Sequence, residues 1–382
     1  MKHLRILLFL LVMFLLSGCP KANILEQQSL TLAIGYDAKE NHSFQVTATL
    51  LESEEHAEDT SHIVTVEAET SKSARRKLNE KLPNEIATGQ TRVVLLNKAI
   101  FDLKMLNEIY VLSRDPFFGD MIKIAIVDGS TEDLLTHPYE KYKNVGMSLN
   151  SLLDHNTKFN WVPELTLHDF TYFRDTNTLD LAIPTLKREG EEIVINSLSL
   201  LHGGDIVGEA SPKEGFFLKA LKGKRTPFLY EAIIKKKDMK KSGMDQYFLT
   251  EFNDENTDEV KVVFSIIKNK GKVKLIDEES RTFEASIDMD INIEDISQVY
   301  DFKQNKAIIA LEKQLDIEVT KDLQSFLDKI RKVNSDIIGF GELYRSHAKD
   351  GKFVDEQWED IFPDTKIHGK AQIDTIRTGI IE

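Results

Sequence analysis

The sequence has almost no cysteine: Cys19 is the only one among its 382 residues. No disulfide can therefore form within the chain. Long apolar runs are also absent after residue 19, since none approaches the roughly 20 residues that a membrane-spanning helix needs. Internal repeats and low-complexity segments do not occur either. These absences indicate ordinary globular domains, in agreement with a hydrophobic fraction of 41% and a charged fraction of 29%.

Positive charge is also in short supply. The chain has 49 Lys and Arg residues against 63 Asp and Glu residues, which gives a formal net charge of −14 at pH 7. Proteins that bind a nucleic-acid backbone use Lys and Arg to neutralise its phosphates. We therefore expect no nucleic-acid partner.

The first residues have the form of a secretory signal. Lys2 and Arg5 precede an apolar run, 6–16, in which an α-helix would rise only about 17 Å at 1.5 Å per residue. A hydrocarbon core is about 30 Å thick, so this run is too short to remain as a membrane span. We predict that residues 1–18 are a signal peptide.

The signal ends in Leu16-Ser17-Gly18-Cys19, which has the form of a bacterial lipobox. In such a tetrad the cysteine thiol takes a diacylglyceryl group, and the peptide is cut just before it. We predict that Cys19 is lipidated and that residues 19–28 form a lipidated tether. Acyl chains contribute about 0.8 kcal/mol per buried CH₂, which would hold the protein on a membrane surface. The alternative is that Cys19 is only the last small residue of an ordinary signal.

Hydrophobic periodicity predicts the secondary structure. Alternating runs at 30–34 and 44–50 predict a β-hairpin, whereas 132–178 is weakly patterned and predicts only short helices and loops. Apolar and acidic residues alternate strictly over 283–294, which predicts a strand. Residues about 301–333 have apolar side chains every three or four positions, which predicts one long helix.

A last alternating strand is expected from Ile367 to Ile373. Strands on both sides of a long helix favour an α+β fold with mixed, largely antiparallel sheets. We predict an N-terminal α/β domain over 29–190, which could contain two subdomains, and a C-terminal α+β domain over 191–382. Together they would form a multi-domain ectodomain behind the lipoprotein signal peptide.

Three C-terminal segments resemble a known family. Ser335-Asp336-Ile337-Ile338-Gly339-Phe340-Gly341-Glu342, Trp358-Glu359-Asp360-Ile361-Phe362-Pro363 and Arg377-Thr378-Gly379 look like the C-terminal pattern of the Ger(x)C proteins, the C subunits of bacterial spore germinant receptors. The lipobox, the strand ending at Asp37 and the segment 112–115 agree with this resemblance. The residues taken as the family signature are Asp336, Gly339, Gly341, Trp358, Phe362, Pro363, Arg377 and Gly379.

The resemblance implies a lipid-anchored, non-catalytic subunit of a complex with the A and B subunits of a germinant receptor. It places the protein on the outer face of the spore inner membrane, where the complex senses nutrient germinants. It also implies a three-part, mixed α/β ectodomain. Two departures concern the subfamily: Pro20-Lys21 follow the cysteine in place of Trp-Asp, and Gln90 replaces an expected His.

Motifs for catalysis are missing from the sequence. Gly339-Phe340-Gly341 lacks the third glycine of a dinucleotide-binding loop, and neither a Gly-x-Ser-x-Gly elbow nor a His-Glu-x-x-His helix occurs. His168 and His202 have no metal-ligand spacing, and Asp288 and Asp290 belong to the polar face of a strand. We expect no enzymatic activity, no cofactor and no metal.

Alternatives remain open for the function and for two groups of residues. Trp358 and Phe362 could form a core cluster with an Asp to Arg contact, or a surface for a partner. The basic residues could be solvated or could face anionic headgroups. An alternative function is a solute-binding lipoprotein that delivers a small molecule to a membrane transporter. The basic residues are Lys222, Lys224, Arg225, Lys235, Lys236, Lys237, Lys240 and Lys241.

Overall fold

The computed structural model describes residues 28–51, 61–115, 118–174, 176–249, 258–347 and 357–378. Within these residues two mixed β-sheets and their helices form an α+β fold, as the sequence predicted. The signal peptide, Cys19, the tether up to residue 27 and Gly379 lie outside the described residues.

The first sheet is built by nine of the described strands. Their order is β3-β2-β1-β5-β6-β7-β8-β9, and β4 pairs with β1. The predicted hairpin is confirmed, because β1 and β2 pair antiparallel with Asp37 opposite Gln45. The strands are β1 (Gln28–Ala38), β2 (Phe44–Leu51), β3 (Ser61–Ala68), β4 (Glu85–Ala87), β5 (Val93–Asn97), β6 (Lys123–Val127), β7 (Ala182–Glu189), β8 (Glu192–His202) and β9 (Asp205–Ala210).

The middle of this sheet is parallel. Neighbouring pairs among β1, β5, β6 and β7 run in the same direction, whereas β2, β3, β8 and β9 pair antiparallel on the flanks. Parallel strands need a crossover between them and are covered on both faces, so their sequences are continuously apolar. The β5 residues 93–96 are fully buried.

Helices cover both faces of the first sheet. Side chains of α1, α2, α3 and α6 pack against one face, and those of α4 and α5 against the other. These helices are α1 (Ser71–Lys81), α2 (Ala99–Asp102), α3 (Leu106–Tyr110), α4 (Thr131–Thr136), α5 (Val145–Phe159) and α6 (Leu167–Arg174).

Helix α5 is longer than the sequence predicted. Its 15 residues lie in the weakly patterned stretch, where only short helices were expected. Asn144 caps the helix by accepting a hydrogen bond from the Met147 N–H at 3.0 Å. Val145, Leu149 and Leu153 are buried on one side of the helix. The prediction was wrong because this narrow apolar stripe gives little periodic signal in a segment rich in polar residues.

The second sheet has four described strands in the order β10-β11-β12-β13. β10, β11 and β12 pair antiparallel, and β13 joins β12 in parallel. Both predicted alternating strands are confirmed, as β12 and β13. The strands are β10 (Phe228–Lys235), β11 (Glu259–Asp277), β12 (Thr282–Ile296) and β13 (Lys366–Thr378).

One long helix covers the apolar face of the second sheet, together with shorter helices. It spans Asn305–Lys332, close to the predicted range. The helices of this part are α7 (Pro212–Leu221), α8 (Lys236–Ser242), α9 (Asn305–Lys332), α10 (Phe340–His347) and α11 (Trp358–Ile361). Short 3₁₀ turns occur at Thr88–Gln90, Val111–Arg114, Met244–Tyr247 and Phe362–Asp364.

The largest core cluster joins the two sheets. It contains Leu198 and Leu200 of β8 as well as Phe216 and Phe217 of α7 and the buried face of β12. The first sheet also continues past residue 190, since β7 pairs with β8 through an antiparallel turn. The division of the chain at 190/191 stays a prediction.

Helix α9 also covers the free edge of β13 with polar side chains. Four helix residues at a spacing of four accept hydrogen bonds from four strand N–H groups at a spacing of two. Four helix residues rise about 6 Å and two strand residues about 6.6 Å, so the two rows match. An uncovered edge would be open to pairing with another chain. The contacts are Gln324 Oε1 to Gly369 N, Thr320 Oγ1 to Ala371 N, Asp316 Oδ1 to Ile373 N and Glu312 Oε1 to Thr375 N, at 2.7–2.9 Å.

The row of hydrogen bonds between α9 and β13 predicts that Asp316 makes a pH-dependent contribution to the free energy of unfolding. Burial raises the pKa of Asp316 to about 6, against about 3.9 in an unfolded chain. Its contribution is therefore fully present below about pH 4 and is lost as the pH rises through 6. Asp316→Asn should raise the free energy of unfolding by about 1 kcal/mol at pH 8, and this gain should vanish near pH 4.

Urea denaturation at the two pH values measures this difference. Asp328→Asn is the matched control, because Asp328 lies on the same helix with a side chain 53% exposed. A gain for Asp316→Asn that is equal at pH 4 and pH 8 would contradict the assignment.

Candidate functional site

Most of the predicted signature residues meet at one place, beside the end of α9. Asp336 lies between α9 and α10, Gly339 and Gly341 lie at the start of α10, and Trp358 begins α11. Phe362 and Pro363 follow α11 in a 3₁₀ turn, where the Pro363 carbonyl accepts a hydrogen bond from Arg331 Nη1. Arg377 belongs to β13, but its side chain lies outside the described part, as does Gly379.

The Asp336 carboxylate is the centre of this site. Its Oδ1 accepts hydrogen bonds from the backbone N–H groups of Gly339 at 2.8 Å and Phe340 at 3.0 Å. Its Oδ2 accepts from the Gly341 N–H at 2.7 Å and from the Trp358 indole Nε1 at 3.0 Å. The first N–H groups of a helix have no partner within it, so Asp336 satisfies the start of α10 and fixes the ring of Trp358.

The two glycines are needed for this geometry. Gly339 has φ +95°, in the left-handed region that favours glycine. A Cβ on Gly341 would lie 2.7 Å from the Thr178 carbonyl oxygen and 2.7 Å from Trp358 Nε1. A side chain at Gly341 would therefore push the indole away from the carboxylate.

Trp358 and Phe362 are buried, with exposed fractions of 2% and 1%. Their ring centroids are 5.7 Å apart, and the Trp358 ring also contacts Phe283 of β12 at 6.4 Å. Phe362 stacks against Phe340 at 6.1 Å. The structure therefore describes a packing role for these two residues. A role of the whole signature in partner binding stays a prediction.

Asp336 itself is only 1% exposed. Burial raises the pKa of Asp336 to about 6, while hydrogen bonds from the Gly341, Phe340 and Gly339 N–H groups stabilise the carboxylate and act against that rise. All its oxygen contacts come from donors, so the geometry suits the charged form. A carboxylate used in this way has no free oxygen to act as a base or to ligate a metal.

The same segment ties the second sheet to the first. The backbone N–H of Asp336 donates to Asp180 Oδ2 at 2.8 Å, and the Asp180 N–H donates to the Asp336 carbonyl at 2.9 Å. The Ser335 hydroxyl donates to the Leu201 carbonyl in β8 at 2.6 Å. These contacts join segments more than 130 residues apart in the sequence.

A cavity of about 420 Å³ opens beside this junction. His202 lines it, with its Nδ1 3.5 Å from Asp180 Oδ2 and its Nε2 3.2 Å from Asn334 Nδ2. The contact with Asp180 raises the pKa of His202. Tyr110 and Phe173 supply aromatic walls, so the cavity has the mixed lining of a small-molecule site.

The sequence did not reveal this second group of residues. Asn334, at φ +55°, follows the end of α9, and an asparagine after a helix is a known signal for a left-handed helix end. Asp180 and His202 gave no signal, because their partners are distant in sequence. Among the described residues no group of three or more His, Cys, Asp or Glu side chains could hold a metal ion.

The site predicts the effect of removing the indole. Trp358→Ala should lower the free energy of unfolding by about 3–5 kcal/mol, because it leaves a cavity and deprives Asp336 of one donor. Trp358→Phe keeps an aromatic ring but removes the N–H together with part of the indole, so it should cost less, about 1–3 kcal/mol. Thermal and urea denaturation measure both. A melting temperature unchanged by Trp358→Ala would refute the packing role.

Comparisons with known proteins agree on one family. A family model described as the spore germination protein N-terminal domain matches residues 21–188, and one described as spore germination B3/GerAC-like, C-terminal, matches residues 196–379. The spore germination protein GerQC of Bacillus cereus is 24% identical over 379 residues, covering 99% of each chain.

A solved structure, described as the crystal structure of the GerBC protein, is similar in fold. Its TM-score is 0.55 at 15% sequence identity, and the similarity covers 90% of this chain and 96% of that one. The two family models together span nearly the whole chain, including every signature residue from Asp336 to Gly379. The chain belongs to the GerAC-like family of spore germination proteins.

Proposed function

We propose that this protein is the lipid-anchored, non-catalytic C subunit of a nutrient germinant receptor. It would work with the A and B subunits on the outer face of the spore inner membrane. The observation that carries this proposal is the match of both halves of the chain to the two spore germination family models.

The chemistry at the signature residues supports a role without catalysis. Asp336 is buried, both its carboxylate oxygens accept hydrogen bonds, and its neighbours are glycines and aromatic rings. A general base or nucleophile needs a free lone pair within reach of a substrate. Asp336 therefore serves the fold, and a subunit role would depend on surfaces that this fold presents.

The proposed anchor depends on the tetrad Leu16-Ser17-Gly18-Cys19. In the part of the chain that the structure describes, we find no helix long and apolar enough to cross a membrane. Acylation of Cys19 would provide the attachment, and two or three acyl chains would be enough for stable retention.

Co-purification tests the receptor assignment. We expect the protein, solubilised from spore membranes in a mild non-ionic detergent, to bring down two further membrane proteins in stoichiometric amounts. Trp358→Ala should reduce the amount of the whole complex, because the subunit would unfold more readily. Recovery of the wild-type protein alone, under conditions that keep other membrane complexes intact, would remove the main support for this function.

A separate experiment tests the anchor. Cys19→Ala should leave the fold intact and release the protein from an alkali-washed membrane fraction, because the acyl chains would be missing. Cys19→Ser is a second variant without the thiol that keeps a polar side chain, and it should be released in the same way. The fractionation should use cells without the A and B subunits, so that partners cannot hold the protein. Retention of both variants there would contradict the lipid anchor.

The cavity beside Asp180 favours a second candidate, a solute-binding lipoprotein. Its volume of about 420 Å³ suits a small polar molecule. The two candidates differ in one observable. A solute-binding protein would bind its solute without any partner protein and would release it to a transporter. A receptor subunit would instead stay in a complex with its two partners.

A further inference from the structure

A second cavity, of about 470 Å³, lies where α5 ends, α6 begins and the turn after α7 passes over both. Four of its lining side chains are cationic, in a protein whose overall charge is strongly negative. These cationic side chains are Lys219, Lys222, Lys224 and Arg225. We call this group the basic cavity.

The turn that follows α7 places Lys222, Lys224 and Arg225 close to Lys219. At the end of α7, Gly223 has φ +73°, and the Lys224 N–H donates to the Lys219 carbonyl at 3.0 Å. This is the pattern of a helix that ends with a left-handed glycine. Asn269 of β11 holds the turn from the other side, because its Nδ2 donates to the Lys224 carbonyl at 2.9 Å.

Lys219 is the buried member of the group, with an exposed fraction of 5%. Its ammonium donates to the carbonyls of Thr157 at 2.7 Å and Asn160 at 2.5 Å, at the end of α5. An ammonium has three N–H donors, so one remains for a ligand in the cavity. Burial, followed by the nearby Lys224, lowers the pKa of Lys219 to about 8. An anion in the cavity would favour the charged form of Lys219 and so act against this lowering of its pKa.

The four cations have no carboxylate partner within 4.0 Å among the described residues. Lys213 of α7, by contrast, pairs with Asp322 at 2.9 Å, and Lys329 of α9 pairs with Glu214 at 2.9 Å. Two carboxylates do line the cavity, from Glu164 and Asp169.

Asp169 is already occupied, since its Oδ2 accepts hydrogen bonds from the Thr166 N–H at 2.9 Å and the Thr166 hydroxyl at 2.7 Å. Four cations against two carboxylates leave an excess of about two positive charges in the basic cavity. His168 also lines the basic cavity.

We propose that the basic cavity binds a phosphate group. A phosphate monoester has a charge of about −1.5 to −2 at pH 7 and a phosphodiester headgroup a charge of about −1, so either would offset much of the excess positive charge. Lys and Arg are the residues that bind phosphate, the guanidinium through two parallel hydrogen bonds. The cavity is larger than one anion, so the rest of the ligand would lie against Met121, which is 72% exposed, and Pro163.

The same chemistry could come from a soluble phosphate ester or from an anionic lipid headgroup. This proposal does not depend on membership of a receptor complex, and the two can fail separately.

Calorimetry on the full chain in a non-ionic detergent tests the site, with glycerol 3-phosphate and inorganic phosphate as probes at constant ionic strength. We expect submillimolar binding, weakened about tenfold or more in the double variant Lys224→Gln/Arg225→Gln. The matched control is Lys237→Gln/Lys240→Gln, which removes two exposed charges from α8. It should bind like the wild type. Absence of binding to both probes and to the vesicles described below, or equal weakening in the control, would overturn the proposal.

Vesicle flotation distinguishes the two sources of phosphate. Vesicles of phosphatidylcholine alone are compared with vesicles that also contain phosphatidylglycerol, so any acyl anchor contributes equally to both. The quantity compared is the amount of protein that floats with the vesicles. If phosphatidylglycerol increases this amount, and the increase is lost in Lys224→Gln/Arg225→Gln and kept in the control, the ligand is a lipid headgroup. If the chain binds glycerol 3-phosphate but shows no such increase, the ligand is a soluble ester. Melting temperatures of the variants establish that each is folded.

Discussion

The C-terminal part of this protein depends on one buried carboxylate. Asp336 accepts four hydrogen bonds, three from the first N–H groups of α10 and one from the indole of Trp358. Helices as short as α10 and α11 are unstable in isolation, because few hydrogen bonds offset the cost of starting a helix. The carboxylate compensates by satisfying unpaired donors and by favouring the positive end of the helix dipole. Without it, four donors would lose their acceptor, and three of them belong to buried contacts.

A second aspartate, in the first sheet, also accepts hydrogen bonds from the first N–H groups of a short helix. Asp37, at the end of β1, accepts hydrogen bonds from the N–H groups of Thr131 at 2.8 Å and Glu132 at 2.9 Å, at the start of α4. Gly35 permits this approach, because a Cβ there would overlap the Thr131 hydroxyl. Both aspartates lie in segments that resemble the family pattern. In this chain, therefore, each of the two aspartates binds the first N–H groups of a short helix.

Local patterns predicted the hairpin of β1 and β2 in the first sheet, and β12, β13 and the long helix α9 in the second part. β12, α9 and β13 each have a strict period, and each buries one face against the others, so the period can be read without knowing the partner. β11 was not predicted, because its second half is an exposed ribbon rich in lysine. The pairing of Asp180 with Asp336 is a contact between distant segments, and no local pattern reports it.

The sequence also could not show where its basic side chains lie in the fold. Lys219 lies in α7 among apolar residues and would be expected to reach solvent, as lysine usually does. It is buried because carbonyl oxygens at the end of α5, about 60 residues earlier, accept hydrogen bonds from its ammonium group. The basic residues near 222–225 gave a composition signal, but only the fold shows that they surround a cavity.

The junction between the two sheets has a consequence for how the chain unfolds. The two family models meet between residues 188 and 196, within a pair of strands that are hydrogen-bonded to each other. The largest core cluster includes side chains of β8 from the first sheet and of β12 from the second. Loss of the second sheet would expose the buried face of β8 and break the Asp180–Asp336 contact. The free energy that holds the two parts together is therefore of the kind that holds a single core, and we infer that the sheets unfold in one cooperative transition.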